Sequence, residues 1–533
     1  AWLNLRSALV PIQNASGKIL NIVLIASLFG GFALGLPYEW VGYIVVGAYS
    51  VMTLFTIITL PVEFDASNRA LAWIKTRNIV TPDEYAMSKD SLKWAAMTYV
   101  VAALASMATL AYYIFIFFGN IDPDQIKYRK RGKRCPSSFF AIYSSQIAKP
   151  NENIMHFELT EEHRAVQEAA RDFAKNELLP GVIQRDIESR FPAEEIKKMG
   201  ELGFMGMMID PKYNGGGMDT VSYVLAMEEL SKIDASASVA MSVNNSLVCW
   251  GMEKYASEDQ KEKYLKPLAS GQKLGAFALS EPEAGSDATS QKTEAYLEGD
   301  HYVLNGTKNW ITNGSKADTY LVFAQTDNSK GHKGISVFIV EKGWEGFTPG
   351  HKEDKLGIRA SDTTSLMFTD VKVPVENRIG EEGFGFKYAM ETLNGGRIGI
   401  AAQALGIAAG AYEFAVAYSK ERKTFGKPIC QHQAIQFKLA DMATTIEAAR
   451  LLVYKAAWLK DQGEDYSHAS AMAKLYASQV AMDVSIEAVQ IHGGYGYVRE
   501  YHVERLMRDA KITQIYEGTS EIQKIVISRG ILR

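Results

Sequence analysis

Glu517 stands in QIYEGTSEIQ (514–523), followed by a glycine and two hydroxyl residues. A carboxylate there can abstract a proton if burial lifts its pKa toward neutrality; otherwise it is one solvated acid among many. Four more segments carry residues of chemical interest. FALSEPEAGSDA (277–288) holds the hydroxyls of Ser280 and Ser286, and KNWITNGS (308–315) holds Trp310. ERKTFGKPICQHQ (421–433) and VQIHGGYGY (489–497) follow, the latter with paired glycines at 493 and 494 that would let backbone approach a ligand. Taken singly, each has an ordinary reading: Ser280 and Ser286 as turn hydroxyls, Trp310 as core, His492 as a satisfied core histidine. No GxGxxG opens a helix after a strand, so a Rossmann site is unsupported. Cys135, Cys249 and Cys430 lack CxxC spacing, which argues against a disulfide framework or a cysteine zinc site and for a reducing compartment.

The elements that must position these residues follow a helix, sheet, helix order. Thr160 is an N-cap with Glu161 and Glu162 behind it, and Val166, Ala169, Ala170 and Phe173 fall at helical spacing before Pro180. Helical patterning runs to about residue 270. Between about 275 and 385, YLVFAQT, GISVFIVE and TSLMFTDVKV read as strands separated by Gly, Asn and Asp. Helices then return, with Ile435, Leu439, Met442, Ile446, Ala449 and Val453 along one face. That order excludes a simple doubly wound sheet. A chain of 533 residues exceeds one hydrophobic core, and a net charge of −4 gives no reason to expect nucleic acid.

Three apolar runs precede residue 120, at 19–36, 40–60 and 94–118. The second and third are long enough to cross a bilayer as helices, with Trp40, Trp94, Tyr112 and Tyr113 near their ends. Lysines and arginines are nearly balanced on the two sides, so the positive-inside rule sets no orientation. KYRKRGKR follows as a juxtamembrane basic cluster or an unstructured linker.

In their joint order, the motifs of 155–533 resemble the acyl-CoA dehydrogenase family, most closely its short-chain, butyryl-CoA type, which VNNSLVCWGM (243–252) also resembles. The resemblance implies FAD-dependent removal of an α-proton and a β-hydride from a short acyl-CoA, giving the trans-2-enoyl-CoA and passing electrons to electron-transferring flavoprotein. It implies that Glu517 is the base. Some branches place the base on a helix, directly before the arginine of a D-x-x-R-like motif; here that motif is LNGGR (393–397) and the position is Gly396, which has no acid. By the same resemblance Phe277, Leu279, Ser280, Trp310, Ile311, Thr312, Thr519 and Glu521 bind FAD, and Ser286 meets both FAD and substrate. Arg422, Thr424, His432, Gln433, Gln490, Gly493 and Gly494 reach the FAD of a neighbouring subunit, implying a homodimer or homotetramer. Asn394, Arg397, Tyr516 and Gly518 bind substrate, Asn394 standing where relatives often carry Asp. No metal is expected. The alternatives are an acyl-CoA oxidase, whose usual longer carboxyl-terminal domain has no counterpart before the last residue, Arg533, and a membrane-anchored scaffold with a vestigial flavin site.

LNLRSALVPIQN (3–14) and TLPVEFDASNRALAWI (59–74) resemble the carboxyl-terminal part of bacterial membrane-bound neutral zinc metallopeptidases. The chain has no HExxH, so Glu63, with Asp65 beside it, is at most the remnant of a carboxylate ligand, and no peptidase activity is expected. The expected organisation is multidomain α+β: transmembrane helices of a metallopeptidase-like fragment in 1–120, a basic linker in 121–154, then the acyl-CoA dehydrogenase fold. The latter comprises an α-helical domain (155–275), a small β-barrel-like domain (276–385) and a four-helix bundle (386–533). NENIMHFELTEEH (151–163) reads as a seam between an incomplete peptidase fragment and a complete dehydrogenase, arising from gene fusion, a frameshift or a gene-model error. The catalytic part is expected in the cytoplasm, at a membrane if 1–120 is retained.

Overall fold

The computed structural model describes residues 38–76, isolated positions between 89 and 111, and residues 158–532. It divides into two units, 1–149 and 150–533. In the first, the helix Tyr38–Thr76 contains the apolar run 40–60 and continues through Pro61 into a polar end where Arg69 pairs with Asp65. Within it, Val46–Leu71 is long and apolar enough to cross a membrane, with mean hydropathy 1.4. The run 19–36 and the side chain of Glu63 lie outside the described residues, and 94–118 is described only at scattered helical positions.

The second unit opens on the expected cap. Thr160 Oγ1 accepts from His163 N at 3.1 Å, and His163 Nδ1 accepts from Thr160 N at 3.4 Å, a reciprocal box that starts the Glu161–Phe173 helix. Val166, Ala170 and Phe173 are buried, whereas Ala169 faces solvent. The helices Thr220–Ser231 and Ala235–Ser242 and the π-helical stretch Val243–Cys249 are buried almost throughout.

Eight strands form one sheet: β1 Gly275–Ala278, β2 Glu294–Glu298, β3 His301–Thr312, β4 Thr319–Gln325, β5 Ile335–Glu341, β6 Phe347–Lys352, β7 Thr363–Pro374 and β8 Arg378–Ile379. Their order is β6-β7-β3-β2-β4-β5-β8, with β1 parallel to β4. The ladder ends at β6 and β8 and so does not close into the barrel expected; β2 meets β4 through one residue pair only, Glu294 with Gln325. β4 is buried on both faces: Tyr320, Val322 and Ala324 join the core of the sheet, while Leu321 and Phe323 join the helical core. This is why YLVFAQ reads as continuously apolar.

Three long helices follow, Gly385–Glu421, Gln433–Asp461 and Ser467–His492, with the shorter His502–Ile512 and Ser520–Ile531 packed on the last of them. Met442, Ile446, Ala449 and Val453 are buried and Ile435 and Leu439 partly so, as their spacing requires. Small residues let the first of these helices lie close to Thr220–Ser231: a Cβ on Gly406 would strike the carbonyl of Glu228.

Candidate active site

Glu517 sits in the turn between His502–Ile512 and Ser520–Ile531. Both Glu517 (φ 50°) and Gly518 (φ 89°) are left-handed. Glycine takes that conformation freely, but for glutamate it costs about 1–2 kcal/mol, so the surroundings must hold it. They do so through carbonyls. Gln523 Nε2 donates to Gly518 O at 2.8 Å and to Glu517 O at 3.3 Å, and Lys474 Nζ donates to Gly518 O at 2.6 Å. Thr519 caps the next helix, its Oγ1 accepting from Ile522 N at 3.4 Å.

Residue 517 is half-buried overall, yet its Oε2 is sealed from solvent and has no hydrogen-bond partner among the described residues. The exposed part is therefore not this carboxylate oxygen. Loss of hydration pushes the carboxyl up to about 7, against the opposing pull of Lys474 and Arg397. A Cβ on Gly396 would collide with Oε2 and would lie 2.7 Å from Leu247 Cδ2. Arg397, one residue on, is buried; its Nη1 donates to Asn394 Oδ1 at 2.6 Å and its Nε is left without a partner. Tyr516 donates its hydroxyl to Gln403, which is anchored in turn to Ala235 O at 2.8 Å. Burial first, then the neighbouring Glu517 charge, holds the Tyr516 phenol far above its usual range. The structure thus gathers Glu517, Gly396, Arg397 and Asn394 from segments more than a hundred residues apart.

A second group lies on the sheet. β3 carries register shifts against β7 between Lys308 and Ile311, and this irregularity turns Trp310 (φ 61°) outward to 60% exposure. Ile311 points into the core of the sheet and is buried, while Thr312 is half-buried. Asn309 N donates to Ser280 O at 2.8 Å, which ties the 277–288 segment to this bulge. Phe277 and Leu279 are buried, Ser280 half-buried and Ser286 exposed. The segment is further pinned by Lys308, fully buried, whose Nζ donates to Glu281 Oε1 at 2.7 Å, Gln291 Oε1 at 3.0 Å and Leu279 O at 3.2 Å.

A third group forms a cleft of about 590 Å³ lined by Arg422, Thr424, His492, Gly493 and Gly494, with Tyr418 and Tyr495. Thr424 Oγ1 and His432 Nε2 are 3.1 Å apart, and Gln433 opens the next helix. Gln490 is exposed and accepts from Gly493 N through its carbonyl. His492 is the satisfied histidine its setting suggested, Nδ1 lying 2.8 Å from Ala488 O, but it also stacks on Tyr418 at 4.2 Å and lines the cleft. Thr519 and the exposed Glu521 line a separate cleft of about 340 Å³ with Lys511 and Lys524.

Sequence reasoning missed Lys474 and Lys308, whose roles depend on partners far along the chain. A single lysine inside AMAKLYA, otherwise small and apolar, was the available signal for Lys474. Among the described residues no group of acids, histidines or cysteines is arranged to hold a metal.

With these three groups in place, residues 160–272, 276–371 and 383–532 match the N-terminal, middle and C-terminal domain models of acyl-CoA dehydrogenase. The chain belongs to the acyl-CoA dehydrogenase family, whose members are oxidoreductases. Among its relatives, the short-chain specific acyl-CoA dehydrogenase of Clostridium acetobutylicum is 56% identical over 379 residues, 71% of this chain and 100% of that protein. Butyryl-CoA dehydrogenase from Megasphaera elsdenii superposes with a TM-score of 0.70 at 54% identity, covering 71% of this chain and 100% of the other. A chain from the structural work on the electron transferring flavoprotein of Acidaminococcus fermentans reaches 0.71 at 55% identity, with the same coverage. Residues 1–118 match a different model, putative neutral zinc metallopeptidase, so the two resemblances adjoin in one chain.

Proposed function

We propose that the chain is an FAD-dependent short-chain acyl-CoA dehydrogenase, acting on a butyryl-type thioester to give the trans-2-enoyl-CoA. The observation that carries this reading is the buried, unpartnered Oε2 of Glu517 beneath a residue with no side chain. A proton α to a thioester is weakly acidic, and a base whose pKa approaches the working pH removes it fastest. Glu517 takes that proton on its carboxylate. The charge developing on the thioester oxygen is met by the Glu517 N–H, which bonds to no acceptor among the described residues; such a donor is worth about 3–4 kcal/mol. Arg397 and Asn394 hold the thioester end of the ligand, with Ser286, Tyr516 and Gly518 around it.

The residues present suit FAD, which solved relatives contain. Trp310 offers an exposed indole face, and the neighbouring Thr364 Oγ1 is buried without a partner. Phe277, Leu279, Ser280, Ser286, Ile311, Thr312, Thr519 and Glu521 complete that site. Arg422, Thr424, His432, Gln433, Gln490, Gly493 and Gly494 serve the FAD of a neighbouring subunit, which makes the protein a homodimer or homotetramer. When bound, FAD would supply the hydride acceptor, with electron-transferring flavoprotein as the onward electron acceptor. The catalytic part divides at 155–275, 276–385 and 386–533.

The short-chain reading is supported by tight packing beyond Glu517. Three residues past Gly396, about 4.5 Å along the helix, a Cβ on Gly399 would lie 2.6 Å from both Tyr223 Oη and Ser242 Oγ. Those two groups are hydrogen-bonded to each other at 3.1 Å, and on this reading they end the acyl site. The deciding experiment is Glu517→Gln assayed by dye reduction with butyryl-CoA: activity falls by about 10²–10⁴-fold with flavin retained. Unchanged activity refutes the assignment, and a C8 optimum of kcat/KM across C4, C6 and C8 substrates refutes the short-chain reading. Residues 19–118 anchor the chain at a membrane facing the cytoplasm, a reading supported by the Val46–Leu71 stretch; recovery of the full chain in the soluble fraction after lysis opposes it.

A further inference from the structure

We propose that Lys474 is a positioning residue for Glu517, acting through the carbonyl of Gly518. The inference rests on the reading of Glu517 as the base. Lys474 lies on the Ser467–His492 helix among Ala471, Ala473 and Ala477, and none of the four is exposed. A lysine sealed in such a setting is costly unless its ammonium is used. Its Nζ donates to Gly518 O at 2.6 Å and, among the described residues, to no carboxylate. It therefore holds the peptide that follows Gly518, one residue beyond the base, rather than bonding to the acid directly.

That peptide sits in the strained part of the loop. Glu517 and Gly518 are successive left-handed residues, and rotation about either would swing Oε2 away from Gly396. Gln523, itself buried, donates to the same Gly518 carbonyl from the next helix. The carbonyl is thus held from two elements at once. The charged or titratable groups facing Glu517 are Lys474 from Ser467–His492, Arg397 from Gly385–Glu421, Tyr223 from Thr220–Ser231 and its own neighbour Tyr516. Lys474 and Arg397 are the cations among them. Lys474 thereby does two separable things: it tethers the loop and places a positive charge near the carboxylate.

Two substitutions separate these effects in the FAD-loaded full chain assayed with butyryl-CoA. In Lys474→Met both are lost: kcat falls by about tenfold to a hundredfold while KM stays within about threefold. The rising acid limb of the kcat pH profile also moves upward by at least about half a pH unit, because a carboxylate without its cation is harder to ionise. Lys474→Gln keeps a neutral donor for Gly518 and loses the charge, so kcat is largely retained but the limb still moves. Lys474→Arg returns the limb to its original position. A folded, flavin-loaded Lys474→Met with unchanged kcat and limb overturns the proposal, as does a fall in kcat with no movement of the limb. If the Met variant does not fold, an unmoved limb in Lys474→Gln overturns it instead. Glu517→Gln run in parallel keeps the two readings apart: full activity there removes the base assignment itself, whatever the lysine variants do.

Discussion

Gly396 and Glu517 occupy one space: the Cβ that any other residue would bring to position 396 falls on Glu517 Oε2. The absence of a side chain on one helix and the presence of a carboxylate on a distant loop are two halves of a single arrangement. Family branches that place an acid at the first position could not also keep the second in this geometry. Gly396→Ala should therefore lower kcat by about tenfold or more by displacing the carboxylate, with the fold intact by circular dichroism. Shortening the acid makes room, so Gly396→Ala combined with Glu517→Asp should be less impaired than the product of the two single effects.

The raised pKa of Glu517 predicts two opposite pH trends. Catalysis needs the ionised base, so kcat/KM should rise with pH up to and through about 7. Stability should do the reverse. The folded protein holds the proton up to about 7, whereas the unfolded chain releases it near the ordinary carboxylate value of 4.5. Between these values the native state binds more protons, so this group lowers stability as pH increases across that window. Thermal denaturation of Glu517→Gln across pH 4.5–7 should show a flatter dependence than the parent; an identical slope contradicts the burial of the carboxyl.

Lys308 and Glu281 form a buried ion pair that also pins Leu279 and Gln291. Lys308→Met should strand Glu281 without its cation and destabilise the chain by about 3–5 kcal/mol. Because the pinned segment carries Ser280 and Ser286, flavin should dissociate more readily as well. The flavin absorbance remaining after gel filtration, read beside the denaturant midpoint, checks both effects.

Tyr223 is the group to change in order to lengthen the pocket. Tyr223→Ala should shift kcat/KM from C4 toward C6 acyl-CoA, since each added methylene in an apolar pocket contributes about 1–3 kcal/mol. Loss of the buried ring should also lower the melting temperature, by an amount in keeping with about 3–5 kcal/mol for a large-to-small core change. A retained C4 preference in a folded variant would place the floor of the pocket elsewhere.

Much of the fold was legible because periodicity reports burial. The capped helix at Thr160, the strands read from the β-rich runs 320–326, 334–341 and 364–373, and the buried face from Met442 to Val453 follow from residue type and spacing. Where neighbours decide, the reading slips. Ala169 fits the helical stripe yet faces solvent, the helix that holds the apolar run 40–60 runs on to Thr76, and the ladder stays open because its end strands β6 and β8 do not pair. Trp310, core if taken singly and an FAD contact by the resemblance, is exposed, and the irregularity in β3 that exposes it depends on pairing with β7.

By itself, the sequence determined the family, the order of helical and β segments, and the identity of the one loop acid that the resemblance marks as a base, since these reside in local motifs and their order. It also determined that the chain lacks the HExxH that its first 118 residues would need for the chemistry of their own resemblance. Only the tertiary structure decided that Glu517 Oε2 is dry, that Gly396 makes room for it, and that Lys474 holds the peptide behind it. The physical reason is that desolvation, steric exclusion and charge act through space over a few ångströms, between residues that lie from 43 to 121 positions apart in the chain.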